Sequence, residues 1–305
     1  SLGQIRHLSC LKHFDMVIVM MGANKKAPLE ISQKLKAEFH YVPIFLLLNN
    51  NADAEAFSFE EDVPEYIDDI FAWNGDSRIF FAMVKLLEDK TNAKTDTKSG
   101  MCRIILLVED SVSYYSRYLP LFYHSIMKQT KRIIDDVTDD ELYKVLRMRA
   151  RPKVLLARNY EHAMQLYSRF REYLLCVITD VSFNRKGQRD KLAGFRLVEH
   201  IKSEMKDLPV AIQSNNIGNK DKALQLATTF INKNSQSLQH EIQNYISFHL
   251  GFGDFLFRNS KGEHVATARN LRELEERIRV VPEDSLLYHA RNNHFSLWLN
   301  ARGET

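Results

Sequence analysis

The sequence predicts an α/β chain: two doubly wound parallel sheets, the second five-stranded and the first an incomplete copy, followed by a small α+β appendage. Three observations carry this. After residue 100, short runs of Val, Ile and Leu alternate with helical patterns, as a parallel sheet flanked by helices requires. Residues 1–92 show the same order with its beginning missing, and from about residue 239 the alternation stops.

Taken in order, Phe14-Asp-Met-Val-Ile-Val-Met is a strand, 28–38 a helix, Pro43-Ile-Phe-Leu-Leu-Leu a strand, Asp69-Asp-Ile-Phe-Ala-Trp another, and Asp76–Leu87 a closing helix. Residues 93–100, Ala-Lys-Thr-Asp-Thr-Lys-Ser-Gly, are small and polar without apolar period, and read as a linker. Strands are then expected at Arg103–Val108, Lys153–Ala157, Leu174–Thr179, Val210–Gln213 and Thr228–Asn232, with helices at 112–130, 159–171, 194–206 and 219–226. The first four runs are apolar enough for central strands buried on both faces; the more polar fifth suits an edge. A further helical stretch, Asp139–Arg149, extends the first helix or inserts before the second strand. In the appendage, Gln239–Leu250 reads as a helix, Asp254-Phe-Leu-Phe-Arg as a strand and Asn259-Ser-Lys-Gly as a turn. Asn270 followed by Glu273 makes a capping box, and a last helix after Pro282 carries an apolar stripe from Leu286 to Trp298. The expected division is 1–92, linker 93–100, 101–238 and connector 239–305.

The two halves also align internally: Pro43-Ile-Phe-Leu-Leu-Leu-Asn matches Pro209-Val-Ala-Ile-Gln-Ser-Asn, and Ile70-Phe-Ala-Trp-Asn matches Thr229-Phe-Ile-Asn-Lys. A chain of 305 residues favours more than one domain. Its net charge of +3 gives no case for a nucleic-acid surface. No segment has the length of a membrane span, and the first residues lack a signal pattern. Three widely spaced cysteines, Cys10, Cys102 and Cys176, offer no disulfide or zinc framework and fit a reducing cytoplasm. Opening on a helix-like run and closing at Asn300-Ala-Arg-Gly-Glu-Thr, the sequence is expected to be a piece of a longer protein.

Polar groups interrupt the apolar pattern where the strands end. Glu109 and Asp110 end the first strand of the second copy, Asp180 the third, Ser214 the fourth and Lys233 the fifth. Parallel strands bring these ends to one edge, where open α/β sheets bind ligands. Adjacent carboxylates there repel unless a hard cation such as Mg²⁺ lies between them. Three carboxylates, a hydroxyl and an ammonium are what aspartyl phosphorylation needs. Asp180 would be the nucleophile. Glu109, Asp110 and the backbone carbonyl of Ser182 would hold Mg²⁺ with it, while Lys233 and Ser214 would meet phosphoryl oxygens.

On these residues, 101–238 resembles the receiver domain of two-component response regulators, whose fold is flavodoxin-like. The resemblance implies Asp180 as phosphoacceptor, Glu109 and Asp110 as the metal pair, Ser214 as switch hydroxyl, Lys233 as phosphate-binding lysine and Phe230 as the aromatic that moves on activation. It also implies a sensor histidine kinase or small phosphodonor as partner. The stretch after Asp180 is longer than the family's and lacks its common proline, Asn234 replaces the proline after Lys233, and the region before the second strand is enlarged. These departures bear on kinase choice and switching rate. In the first copy Met20, Leu48 and Asn74 stand where the phosphoacceptor, hydroxyl and lysine belong, so it is expected to be a pseudo-receiver.

Ser285–Glu304 resembles the segment joining receiver and catalytic modules in bacterial proteins fused to a phosphoenolpyruvate synthase-like enzyme, which implies a downstream enzyme as output; no catalytic motif of such an enzyme is present. A homodimer surface and an unphosphorylated scaffold are the alternative outputs. His289 and His294, five apart, miss the spacing of a zinc helix and read as structural. The aromatic group Tyr114, Tyr115, Tyr118, Phe122 and Tyr123 reads as core, and Gly251-Phe-Gly-Asp as a turn.

Overall fold

The computed structural model describes residues 3, 14–22, 24, 26–49, 63–100, 102–135, 151–226, 229–249, 251 and 253–302. The expected helix Asp139–Arg149 lies outside them. The chain divides into two compact units, residues 1–84 with 110–120 and residues 85–109 with 121–305.

In the first unit, β1 (Val17–Met20), β2 (Ile44–Leu48) and β3 (Asp69–Ala72) form a parallel sheet in that order, and α1 (Lys26–Glu38) connects the first two strands. Every residue of β2 and β3 is buried, as continuous apolar runs in parallel sheets should be. Asp68 fixes the connection: its carboxylate accepts from the Ile44 amide at 2.8 Å and pairs with Lys36 at 2.7 Å. Phe71 stacks on Phe45 and meets the edge of Tyr115, whose hydroxyl donates to the Ile70 carbonyl. Tyr115 is therefore core, as expected.

The second unit holds a five-stranded, all-parallel sheet. In chain order, helix α2 (Arg78–Gly100), β4 (Ile104–Val108), α3 (Val112–Asp135), β5 (Lys153–Ala157), α4 (Tyr160–Phe170) and β6 (Leu174–Asp180) follow one another, with residues 78–84 of α2 and 112–120 of α3 counted in the first unit. A hairpin of β7 (Phe183–Arg185) and β8 (Gln188–Asp190) precedes α5 (Ala193–Glu204), β9 (Val210–Ser214), α6 (Lys220–Leu226) and β10 (Thr229–Asn232). The order across the sheet is β10-β9-β6-β4-β5. Counted within the sheet, that is the flavodoxin-like order 2-1-3-4-5, whose direction of winding reverses between the first and third strands. β4, β5, β6 and β9 are buried throughout, and β10 at the edge is half-buried.

Residues 93–100, expected to be a linker, are helical. Asp89, Ala93 and Thr97 recur every fourth position and are all buried, so this face has the helical period without large apolar side chains. Asp89 is fully enclosed and accepts from Arg151 at 2.7 and 3.2 Å, from the Tyr123 hydroxyl at 3.0 Å and from the Val154 amide at 2.8 Å. Lys153 pairs with Asp96 further along the helix, at 2.7 Å. The polar face thus packs through a satisfied ionic network rather than through transfer of apolar surface.

The appendage contains α7 (Leu238–Asn244), continued by a π-type turn to His249, then an antiparallel pair β11 (Phe255–Arg258) and β12 (His264–Ala268). Helices α8 (Leu271–Ile278), α9 (Glu283–Arg291) and α10 (His294–Ala301) follow. β12 has no counterpart in the sequence reading, and the expected last helix is two, broken at Asn293 with φ of 56°. Asn270 caps α8 by accepting from the Glu273 amide at 2.9 Å; the return bond runs from the Arg269 amide to Glu273 at 3.0 Å. Phe255, Phe257, Leu274 and Trp298 make a separate small core. Of the expected turn, Gly251 and Gly253 are a packing node, since Arg302 donates to their carbonyls at 2.6 Å and 2.8 Å. Asn300 accepts from Arg103, just before β4, at 2.6 Å, so α10 is tied to the amino edge of the five-stranded sheet.

Candidate functional site

The carboxyl edge of that sheet gathers the polar strand ends. Glu109 follows β4, Asp180 ends β6, Ser214 ends β9 and Lys233 follows β10. Since β4 and β6 flank the topological switch, Glu109 and Asp180 lie at the crevice where such sheets bind ligands. Asp110, next along the chain, supplies a third carboxylate, and oxygens of Glu109, Asp110 and Asp180 lie within 4.8 Å of one another.

Lys233 ties the cluster together. Its Nζ lies 2.6 Å from Glu109 Oε2 and 3.0 Å from Asp180 Oδ2. Burial works to lower the pKa of this ammonium, but Glu109 and Asp180 outweigh it and hold Lys233 above its ordinary value. Lys233 therefore stays charged at neutral pH. Glu109 Oε2 also accepts from Gln213 Nε2 at 2.8 Å. Gln213 pairs in register with Asp180 across β9 and β6, which sets its side chain beside the acidic cluster. In the sequence it reads only as part of a strand; a glutamine within an otherwise apolar, fully buried run is the available signal.

Ser214 Oγ accepts from the Asn216 amide at 3.1 Å and from Asn219 Nδ2 at 2.9 Å, leaving its own O–H to donate. Phe230 is half-buried in β10 and packs against the main core. Ser182 sits two residues beyond Asp180, and its hydroxyl accepts from Arg189 Nε at 3.0 Å. The long stretch after Asp180 is the β7–β8 hairpin, which turns at Lys186 and Gly187, with φ of 55° and 71°. Positive φ at both central positions is the mark of a two-residue turn that matches strand twist. Gly194 then returns the chain so closely that a Cβ there would lie 1.9 Å from the Asp180 carbonyl oxygen.

The donor set suits a hard divalent cation: three carboxylates within reach of one another, with a backbone carbonyl expected from Ser182. In the first unit, Met20 ends β1 exposed, Leu48 ends β2 buried, and Asn74 follows β3 with its side chain accepting from the Asp76 amide at 3.1 Å. None of these three residues carries a charge.

No family model and no curated protein matches the chain. Among solved structures it is similar to a response regulator receiver domain protein from Clostridium thermocellum, 18% identical, covering 48% of this chain and 94% of that one, with a TM-score of 0.28. It is also similar to a probable two-component system response regulator/GGDEF domain protein, 15% identical, covering 81% of this chain and 83% of that one, with a TM-score of 0.30. No helix among the described residues is long and apolar enough to cross a membrane.

Proposed function

We propose that residues 101–238 form a receiver-type phosphoacceptor module, modified on Asp180 and serving phosphorelay signalling. The observation that supports this most is the pairing of one buried, charged lysine with two of three converging carboxylates at the switch point of the sheet. An Asp180 carboxylate oxygen attacks phosphorus, the bond from phosphorus to the donor's leaving atom breaks, and the leaving group departs with the electron pair. The product is an acyl phosphate. Lys233, held between Glu109 and Asp180, meets one phosphoryl oxygen, and the Ser214 O–H donates to another. Mg²⁺, held by Asp110, Asp180, Glu109 and the Ser182 carbonyl, would supply neutralisation of charge between nucleophile and phosphoryl group.

The donor is a sensor histidine kinase or a small acyl phosphate. Phe230 and the loop after β9 carry the change outward, and the appendage acts as connector to a downstream module; the candidate outputs are an enzyme related to phosphoenolpyruvate synthase and a homodimer. The first unit, with Met20, Leu48 and Asn74, takes no phosphate. Incubation with Mg²⁺ and acetyl phosphate, followed by intact mass, should show one phosphoryl adduct that is lost in Asp180→Asn and strongly reduced in Lys233→Met. No adduct on the unmodified chain, or one that survives Asp180→Asn, refutes the reading.

A further inference from the structure

We infer that Gln213 is a positioning residue for phosphoryl transfer: by donating to the Glu109 oxygen that Lys233 also holds, it eases the turn of Lys233 toward the phosphoryl group. The inference rests on Asp180 being the phosphoacceptor. β9 lies inside the sheet, between β6 and β10, and Gln213 is 1% exposed there after Val210, Ala211 and Ile212. A buried amide costs free energy unless it is hydrogen-bonded, and an apolar side chain would fill this place without that cost. The bond that Gln213 makes is to the site itself.

Gln213 Nε2 donates to Glu109 Oε2 at 2.8 Å, and Lys233 Nζ meets the same oxygen at 2.6 Å. Amide and ammonium thus converge on one acceptor. Lys233 also reaches Asp180 Oδ2 at 3.0 Å, so one of its contacts lies at the nucleophile and the other draws it to Glu109. Transfer needs the ammonium on a phosphoryl oxygen, which means slackening the hold of Glu109. Glu109 is fully buried, so each donor lost to it leaves charge uncompensated. A bond from an uncharged amide to a carboxylate supplies part of that compensation and stays in place when Lys233 moves. With an apolar side chain at 213, more of it would fall to Lys233, and the ammonium would be held back. The strands keep the amide where it is: Gln213 pairs in register with Asp180 across β9 and β6, both buried throughout.

The test uses the full chain and acetyl phosphate, with adduct formation timed by intact mass at a Mg²⁺ concentration shown to saturate each variant. Gln213→Met keeps the length of the side chain and removes the amide. It should slow labelling about tenfold, the low end of what one hydrogen bond to a charged group is worth. A cycle with Lys233 decides between positioning and support. In a Lys233→Met background no ammonium remains to be released, so Gln213→Met should change the residual rate less than about twofold. Gln213→Leu, which also lacks the amide, should repeat both results and takes over should the methionine variant not fold. Normal labelling of either variant overturns the inference and leaves the phosphoacceptor reading intact. So does equal slowing in both backgrounds, or failure of both variants to fold, either of which marks Gln213 as structural support. Failure of the unmodified chain to label removes both readings.

Discussion

Acid should loosen the appendage through one histidine. His289 on α9 is only 4% exposed. Its Nε2 lies 2.7 Å from the Arg258 amide, and its Nδ1 lies 2.9 Å from His294 Nδ1. An amide only donates, so His289 Nε2 must keep its lone pair, and the ring proton sits on Nδ1 and is given to His294. A second proton would have to land on Nε2, facing an N–H. Burial, His294 and Arg258 accordingly lower the His289 pKa from 6.5 to about 4. The folded value is the depressed one, so stability is complete above pH 6.5 and is lost as pH falls toward 4. At about 1.4 kcal/mol per tenfold in proton affinity, the whole loss is roughly 3 kcal/mol, of which about 2 is gone by pH 5. The chain has two tryptophans, and Trp298 lies in this core, so a Trp73→Phe background leaves a local reporter. Urea unfolding followed by Trp298 fluorescence should show the loss between pH 7 and 5, and His289→Gln should abolish most of that pH dependence. An unchanged midpoint at pH 5, or an equal acid loss in His289→Gln, would refute the reasoning.

Two further substitutions probe the frame of the site. Gly194→Ala places a methyl against the Asp180 carbonyl, which neither backbone can yield without moving; thermal unfolding should show a loss of about 3 kcal/mol, and adduct formation at Asp180 should fall with it. Asp89→Asn removes the buried carboxylate that Arg151 meets at 2.7 Å and leaves Arg151 only the longer pairing with Glu88 at 3.8 Å. Chemical denaturation should register about 3 kcal/mol, and the double change Asp89→Leu with Arg151→Met should not recover it, because it leaves the Tyr123 hydroxyl and the Val154 amide buried without their acceptor.

The strands of the five-stranded sheet are legible in the sequence because burial on both faces leaves an uninterrupted apolar run, as in Ile104–Val108 or Leu174–Ile178. The candidate site is legible for the same reason: Glu109, Asp180, Ser214 and Lys233 stand out where those runs stop. What escapes detection lacks that contrast. The 89–97 face of α2 is buried through ion pairs and small side chains, so its period is invisible to a hydrophobic pattern. The strands of the hairpin are three residues each and rich in Asn, Arg and Gln; their one signal is the Lys-Gly pair at the turn. The break between α9 and α10 depends on Asn293 taking a left-handed conformation, which asparagine tolerates but does not announce. Gln213 escapes as a site residue because its role comes from Glu109, far along the chain.

The close return at Gly194 has a consequence for how this segment can vary. The Gly194 amide donates to the Val181 carbonyl at 3.0 Å, so the loop between them is stapled shut at its base. Whatever the loop contains, Asp180 and α5 see the same two anchor points. With Ser182 by the cluster and Phe183 and Ala193 in the core kept, the stretch 184–191 is therefore an exchangeable cassette: shortening it to a plain turn, or grafting another hairpin, should leave the acidic cluster in register while replacing the surface presented beside it.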